Sequence, residues 1–310
     1  MRAAALVLLG GLAALTACRS VPPPVPPPPA PPPVVAPPQP PPPKPRVALV
    51  LGGGAARGFA HVGVVRALEQ ERVPVDLIVG TSVGSLIGAL YAAEVNSFEL
   101  EWTAFQLEKD DLLDYGVVTA VLGMGLARGD RLEQFVNSHV KSASIENLAI
   151  PFAAVATDLN WGTEVVIDRG PVARAVRASS AVPGIFQPVQ HMGKLLVDGG
   201  VVNNVPVSVA RARGADVVIA VDVGEDVGNT RITNLVDVML QATNIMFARN
   251  VEHARRDADV LIAPRVGDVA MLDFSQKKRC MVAGIEAGRA AAPAIRAAIE
   301  RWVAARTAAR

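Results

Sequence analysis

The stretch that decides the fold reads Val75-Asp76-Leu77-Ile78-Val79-Gly80-Thr81-Ser82-Val83-Gly84-Ser85-Leu86. Its first five residues are mostly apolar and include two β-branched valines, which predicts a buried strand. The small and apolar residues 85–93 predict a packed helix. A strand, the pattern G-x-S-x-G and a helix are the setting of a nucleophile elbow, a tight turn that presents a serine hydroxyl from a strained backbone. Gly80 and Gly84 supply the small residues that this turn requires, so Ser82 is a candidate nucleophile.

Ser82 also has a structural interpretation. A serine between a strand and a helix serves as a helix N-cap in many proteins that have no catalytic role. The pattern G-x-S-x-G is a weak signal when it stands alone. The strand before it and the helix after it favour the catalytic interpretation.

Apolar strands alternate with helical segments along the rest of the chain. We predict further strands over residues 47–51, 152–157, 164–168, 194–197, 217–221 and 260–263. The main predicted helices cover residues 59–70, 98–107, 131–140, 172–181, 206–213, 232–254 and 281–305. Alternation of this kind predicts an α/β fold with a parallel sheet covered by helices on both faces.

The composition sets bounds on the function. The chain has 310 residues, of which 51% are hydrophobic, and its net charge is +1. This hydrophobic content is sufficient for one large domain or two modest ones. The near-neutral charge gives no reason to expect a nucleic acid as a partner.

An activated serine needs a base that takes its proton. The four histidines lie in helices or in a turn-like segment, where core and surface roles are more common: His61, His139, His191 and His253. Asp198 is a better candidate, because it follows an apolar strand and precedes two glycines. Open α/β sheets place their sites at the carboxyl ends of strands, which makes a serine–aspartate pair chemically possible. An ordinary aspartate in a D-G turn is the structural alternative.

A glycine-rich turn, Gly52-Gly53-Gly54-Ala55-Ala56-Arg57-Gly58, joins the first predicted strand to the first helix. Successive N–H groups at the start of a helix form a concavity that binds anions. Such a turn holds a phosphate or stabilises an oxyanion. Dinucleotide binding is the competing interpretation, but the expected ribose-binding acid after a second strand is not evident.

The N-terminus carries signals of targeting. A short basic start and the apolar residues 3–14 are typical of a signal peptide and too short for a comfortable membrane span. The run ends in Leu15-Thr16-Ala17-Cys18, which resembles the lipobox of bacterial lipoproteins, where the cysteine is lipidated. A plain secretory signal with an incidental cysteine is the alternative. We therefore predict a signal peptide over residues 1–17, with Cys18 as the lipidation site.

Proline dominates the next segment. Residues 22–45 hold 17 of the 25 prolines, which favours extended polyproline II and a stiff spacer. Binding to a proline-recognition module is an open alternative. The predicted organisation is an anchor and linker over residues 18–45 and a folded domain over residues 46–310.

Four blocks in this order resemble the bacterial branch of the patatin-like phospholipase family. The blocks are the glycine-rich turn 52–58, the elbow 80–84, Arg177-Ala178-Ser179-Ser180-Ala181-Val182-Pro183-Gly184-Ile185-Phe186, and Asp198-Gly199-Gly200. The run from Gly125-Leu126 to Gly129-Asp130-Arg131-Leu132 is also similar to bacterial members. The resemblance covers residues 46–305 and implies a three-layer α/β/α sandwich with a mostly parallel central sheet.

The resemblance also implies roles for single residues. Ser82 is expected to be the nucleophile and Asp198 the general base. The amides of Gly53 and Gly54, with Arg57 nearby, are expected to form the oxyanion hole. We leave Ala55 out of the hole, because an alanine adopts a positive φ less easily than the glycine that the family commonly has there. No metal and no cofactor are expected.

The resulting expectation is a membrane-tethered serine lipid acyl hydrolase of the phospholipase A or lysophospholipase type. Its expected partners are a phospholipid or other acyl lipid and, through Cys18, a membrane of the bacterial envelope. The residue after Cys18 is Arg19 rather than Asp, which favours the outer membrane, facing the periplasm. The apolar residues 117–126 are a candidate lid or lipid contact, with ordinary core as the alternative. Acyl transfer to another acceptor and a non-catalytic lipid-binding lipoprotein are the alternative functions.

Overall fold

The computed structural model describes residues 42–94, 96–112, 114, 125–224, 227–228 and 232–308, without the side chains of Val236 and His253. The predicted signal peptide, Cys18 and most of the proline-rich linker lie outside the described residues. So do residues 117–124 of the candidate lid. The described residues belong to one compact unit, Pro42–Arg310.

The described strands form one mixed eight-stranded sheet and one small two-stranded sheet. The strands are β1 Val47–Leu51, β2 Leu77–Thr81, β3 Gly125–Ala127, β4 Phe152–Asp158, β5 Thr163–Ile167, β6 Gly184–Phe186, β7 Val189–His191, β8 Lys194–Asp198, β9 Val217–Val221 and β10 Val260–Ile262. The order across the large sheet is β10-β9-β1-β2-β4-β8-β7, and β5 also pairs with β4. The two-stranded sheet joins β3 to β6 in parallel.

Helices cover both faces of the large sheet. The helices are α1 Phe59–Gln70, α2 Val83–Glu94, α3 Ser97–Gln106, α4 Lys109–Leu112, α5 Asp130–His139, α6 Val172–Ser179, α7 Val207–Ala212, α8 Leu235–Asp257 and α9 Lys277–Ala308. Within the described residues, none of the helices is long and apolar enough to cross a membrane.

Alternate residues of β1 belong to two separate cores. The cluster with residues of α1, α2 and α9 contains Val47, Leu49 and Leu51. Val50 belongs to a second cluster with residues of α7 and α8. Because successive side chains of a strand point to opposite faces, a strand buried on both faces needs apolar residues throughout. This explains the uninterrupted apolar run of β1 and gives three layers.

The predicted three-layer α/β/α architecture with a mostly parallel central sheet is confirmed. Strands β10, β9, β1, β2 and β4 run parallel. Strands β5 and β8 pair with β4 in the antiparallel sense, and β7 pairs antiparallel with β8. The antiparallel strands belong to hairpins in the region 152–198, whose turns do not require a crossover helix. The short strands β3, β6 and β7 were not predicted.

The stretch that decides the fold forms the predicted strand, turn and helix. Strand β2 ends at Thr81, Ser82 occupies the turn, and α2 begins at Val83. A Cβ atom built on Gly80 would lie 2.5 Å from the carbonyl oxygen of Gly84. A Cβ atom on Gly84 would lie 2.1 Å from the carbonyl oxygen of Leu51. Both glycines are therefore required by close approach of backbone to backbone.

We expect Gly84→Ala to destabilise the fold severely, because the added methyl group meets backbone atoms that cannot rotate away. The expected loss in free energy of unfolding is about 3 kcal/mol, at the upper end for overpacking. Urea denaturation measures it. Gly228→Ala is the matched control, since a Cβ atom there meets nothing within 4 Å. Equal stability of the two variants would contradict the close contact.

Candidate active site

The two predicted catalytic residues meet because two strands end against each other. Strand β5 pairs with residues 154–158 of β4, so β2 and β8 must both lie on the other side of β4. There, Thr81 at the end of β2 lies opposite Val155, and Asp198 at the end of β8 lies opposite Ala156. The carboxyl ends of β2 and β8 therefore approach each other along one side of β4, which brings Ser82 close to Asp198.

Asp198 is the last residue of β8, so it lies at the carboxyl end of a strand as the sequence indicated. Strand β8 is antiparallel to β4 and therefore reaches this place from the opposite direction to β2. The chain then passes very close to β4, since a Cβ atom on Gly199 would lie 2.2 Å from the carbonyl oxygen of Val155.

Ser82 has the backbone conformation of a strained elbow. Its φ is 54°, in the left-handed region that residues other than glycine rarely adopt. Its N–H donates to the Ser179 hydroxyl at 2.9 Å. Its carbonyl oxygen accepts from the Ser85 hydroxyl at 2.6 Å and from the backbone amides of Ser85 and Leu86. The strain is therefore held by hydrogen bonds on both sides of the residue.

Asp198 is fully buried beside Ser82. Burial raises the pKa of its carboxyl group to about 7, although hydrogen bonds from the Ser82 hydroxyl and the Gly200 N–H act to lower it. The Gly200 N–H donates to Oδ1 at 2.8 Å. Oδ2 is buried and has no hydrogen-bond partner of ordinary geometry, so the contact between the Ser82 hydroxyl and the carboxylate is looser than an ordinary hydrogen bond. Contacts of this kind commonly tighten only when a substrate is bound.

Most amides of the glycine-rich turn are already used by the fold. The Gly52 N–H donates to Val221 O at 3.0 Å, and the Gly53 N–H donates to Asn204 O at 3.2 Å. The Ala56 and Arg57 amides donate to Met271 O and Gly54 O. Among the described residues, the amides of Gly54 and Ala55 have no such partner.

Three predictions for this turn are therefore revised. The Gly53 amide is bonded to Asn204, which argues against its predicted role as a free oxyanion donor. Ala55 was left out because of the positive φ, yet it has a φ of 48° and lines the cavity beside Ser82. The buried Arg57 guanidinium donates to the carbonyl oxygens of Val223 and Val269, each at 3.0 Å, so it braces two loops behind the turn.

A cavity opens beside Ser82. Its volume is about 750 Å³ when its opening to solvent is included. Apart from Ser82 and Ser180, its walls are apolar: Ala55, Phe59, Val83, Leu86, Ile87, Leu107, Leu112, Leu132, Val182, Ile185, Phe186, Met271, Leu272 and Phe274. A channel with such walls fits a hydrocarbon chain better than a charged or sugar-like ligand.

The described histidines hold other positions. His61 is fully buried, its Nε2 lies 2.8 Å from Gly52 O, and burial lowers its pKa to about 4. His139 is exposed and stacks on Phe135. His191 lies on β7, and burial followed by the charge of Arg174 lowers its pKa. His61 thus supports the glycine-rich turn, a role that the sequence did not indicate.

Other supporting residues were also missed. Ser179 binds the Ser82 amide, and Asn204 lies between the turn and the Asp198 loop: a Cβ atom on Gly53 or Gly200 would lie 2.6 or 2.7 Å from its Oδ1. Ser179 belongs to the block 177–186 that carries the family resemblance, but nothing in the sequence indicated its role. No cluster of three or more potential metal ligands occurs within the described ranges.

The chain is similar in sequence to several known proteins. The sequence pattern of the patatin-like phospholipase family matches residues 49–211. An NTE family protein of Mycobacterium tuberculosis is 38% identical over 190 residues, which are 60% of this chain and 52% of that protein. Patatin-like phospholipase domain-containing protein 6 of Homo sapiens is 40% identical over 185 residues, 57% of this chain and 13% of that protein.

Two further similarities extend the comparison. Lysophospholipase NTE1 of Mycosarcoma maydis is 39% identical over 188 residues, 57% of this chain and 10% of its own length. The chain therefore spans about half or less of these relatives. Among solved structures, VipD of Legionella pneumophila superposes with a TM-score of 0.56 at 15% identity, covering 82% of this chain and 67% of that one, which shows a shared fold.

We expect Asp198→Asn to stabilise the protein increasingly between about pH 4 and pH 7. Because its pKa is raised on folding, the wild-type carboxyl favours the folded state below about pH 4, and that contribution is lost as pH rises towards 7. The neutral amide avoids this loss, so the variant should gain up to about 4 kcal/mol above pH 7. Urea denaturation at pH 5 and pH 8 measures the difference. A gain that does not grow with pH would contradict the raised pKa.

Proposed function

The chain belongs to the patatin-like phospholipase family, and on this premise we propose that it is a serine lipid acyl hydrolase of the phospholipase A or lysophospholipase type. One observation carries the proposal. A serine with a φ of 54° lines an apolar cavity, and its hydroxyl lies beside a buried carboxyl group whose pKa is raised to about 7.

The proposed base is Asp198. An ordinary aspartate is too weak a base to take a proton from a serine hydroxyl, and burial raises the basicity of this one towards neutral pH. Asp198 takes the proton of Ser82 as Oγ attacks the ester carbonyl carbon. When the tetrahedral intermediate collapses, the departing alcohol oxygen receives this proton from Asp198. Asp198 then deprotonates the water that hydrolyses the acyl-enzyme, and Ser82 regains its proton as the fatty acid leaves.

The proposed oxyanion hole consists of the amides of Gly54 and Ala55. They are the two donors of the turn that the fold leaves available, and Ala55 lines the cavity together with Ser82. Donors fixed in advance stabilise the developing negative charge without reorganisation. Arg57 and His61 support the hole indirectly, because they hold neighbouring backbone carbonyl groups.

The proposed substrate is an acyl lipid. The apolar walls of the cavity suit the acyl chain, and the names of the fungal and human relatives refer to lysophospholipase and phospholipase activity. Apolar surface also continues beyond the cavity. Gly184 of β6 lies against Met239, which is exposed on α8 together with Leu235 and Val238. This surface supports a substrate presented by a lipid aggregate.

The proposed location is the bacterial envelope, with the enzyme tethered through lipidated Cys18 and held away from the bilayer by the proline-rich residues 22–45. The support is the lipobox-like sequence Leu15-Thr16-Ala17-Cys18 and the length of the proline-rich segment. At about 3.1 Å per residue, polyproline II over 24 residues reaches about 75 Å. A single acyl chain binds a membrane weakly, so stable anchoring requires the several chains that bacterial lipoproteins carry.

We expect Ser82→Ala and Asp198→Asn each to lower kcat for a phospholipid or a short-chain aryl ester at least about 10³-fold. In the wild type, kcat/KM should fall about tenfold per pH unit below pH 7, because only ionised Asp198 accepts the proton. Steady-state hydrolysis between pH 5 and pH 9 measures both effects.

Asp222→Asn is the matched control for the aspartate variant. Asp222 follows strand β9, is 6% exposed, and accepts the Gly224 N–H at 2.9 Å just as Asp198 accepts that of Gly200. We expect this control to keep its activity. Unchanged hydrolysis in folded Ser82→Ala would overturn the proposed nucleophile, and a flat profile through pH 7 would overturn the proposed base.

The tether has its own test. We expect Cys18→Ala to move the protein from the membrane fraction to the soluble fraction of the host cell, because the thiol that accepts the lipid is absent. Fractionation and immunoblotting measure the distribution, with Cys280→Ala as the control. Cys280 is a buried thiol within the folded unit. Membrane association that persists in Cys18→Ala would contradict the tether and leave the hydrolase proposal unaffected.

A further inference from the structure

A short buried segment, residues 179–181, touches both proposed catalytic residues through hydrogen bonds. The Ser179 hydroxyl accepts the N–H of Ser82 at 2.9 Å. Two residues later, the carbonyl oxygen of Ala181 accepts the N–H of Asp198 at 3.0 Å. We propose that residues 179–181 form a clamp that sets the position of Ser82 relative to Asp198, with Ser179 as its essential positioning residue.

The Ser82 amide requires a partner from outside its own strand and helix. Strand β2 ends its ladder at Thr81, opposite Val155, and the amides at the start of a helix have no partner within it. Ser82 is 4% exposed, so water does not satisfy this N–H. A buried and unpaired N–H is costly. The Ser179 hydroxyl therefore replaces the ladder at the point where the chain leaves the sheet.

The hydrogen of the Ser179 hydroxyl is also committed. It donates to Val155 O of β4 at 2.6 Å, so the oxygen keeps its lone pair directed at the Ser82 N–H. Ser179 is fully buried and ends α6. The hydroxyl thus joins the elbow to strand β4 with a defined donor and a defined acceptor.

Val155 of β4 contacts chain segments that position both proposed catalytic residues. Its carbonyl oxygen accepts the Ser179 hydroxyl, and Gly199 passes so close that a Cβ atom would lie 2.2 Å away. Asp198 immediately precedes Gly199. A shift of the clamp would therefore change the separation between the Ser82 hydroxyl and the Asp198 carboxylate.

The second half of the clamp acts at the end of β8. Strand β7 pairs with β8 only as far as Leu196, so the N–H of Asp198 extends beyond its ladder. Ala181 O takes this N–H, and Ala181 is itself fully buried. Ser179 therefore holds the amide of Ser82 just beyond β2, and Ala181 holds the amide of Asp198 at the end of β8.

The clamp is anchored at the other end by Arg177. Its Nε donates to Arg128 O at 3.0 Å, and its Nη2 donates to Gln187 O at 2.7 Å. These carbonyl groups follow β3 and β6, which form the small sheet beside the cavity. The whole block 177–186, which the sequence singled out without a role, thus connects the cavity wall to the proposed catalytic pair.

The inference rests on the proposed hydrolase function, and Ser179→Ala tests it. We expect kcat for an aryl ester to fall about 10- to 100-fold with KM unchanged, because a small misplacement of reacting groups costs about this much. The acid limb of the pH profile should also move to higher pH, since the Ser82 hydroxyl lowers the pKa of Asp198 when the two are close. Ser179→Thr keeps the hydroxyl and should restore most of kcat.

Ser97→Ala is the matched control. Ser97 is 7% exposed, and its hydroxyl donates to Glu69 at 3.0 Å, so the variant loses a buried serine hydrogen bond away from the site. We expect a comparable loss of stability in both alanine variants and a loss of kcat only in Ser179→Ala. Equal kcat in the two variants, with an active wild type, would overturn the clamp and leave the hydrolase function standing.

A measurement without turnover separates the two proposals. Amide hydrogen exchange followed by NMR should show faster exchange at Ser82 in Ser179→Ala than in wild type, with the amides of β1 unchanged. Unchanged exchange at Ser82 would overturn the clamp. If wild type hydrolyses no ester, the proposed function fails, and the exchange result alone then decides whether Ser179 holds the elbow.

Discussion

The close approach of Gly84 to the carbonyl oxygen of Leu51 is the contact on which the site depends. It allows α2 to start directly against the end of β1, where the glycine-rich turn also starts. Ser82 is consequently placed beside that turn, and a Cβ atom on Gly53 would lie 3.1 Å from the Cβ of Ser82. Any side chain at position 84 would separate the serine from the amides that the proposed chemistry requires.

The site is also organised by an electrostatic conflict. Asp198 is held where water cannot stabilise its charge, and the Ser82 hydroxyl and the Gly200 N–H compensate only in part. The fold therefore carries a carboxyl group that resists ionisation near neutral pH, at a cost in stability. The same burial makes Asp198 basic enough to deprotonate a serine and makes its negative charge unfavourable.

Local sequence was sufficient to predict the elements that are apolar throughout and the turn whose glycines allow close contact between backbone atoms. Strands β1, β2, β4 and β9 and the elbow at Ser82 could be predicted, because burial on both faces and close packing restrict the residues there. The antiparallel direction of β8 could not, since it depends on pairing with β4 about forty residues earlier in the chain. Asp198 thus lies beside Ser82 at the carboxyl end of a strand, whereas the direction of that strand could not be predicted.

The hydrogen-bond donors of the glycine-rich turn could not be predicted from local sequence either. A propensity argument disfavours Ala55 at positive φ, but hydrogen bonds from Gly53, Ala56 and Arg57 to distant carbonyl groups impose that conformation.

The pairing of β9 with β1 also limits where this domain could be cut. The family pattern ends at residue 211, whereas β9, which pairs with β1 and holds Gly52, begins at Val217. A fragment cut at that boundary would present β1 as an open edge, a template for aggregation, and would lose the anchor of the turn. The smallest transferable unit is therefore larger than the region by which the family is recognised.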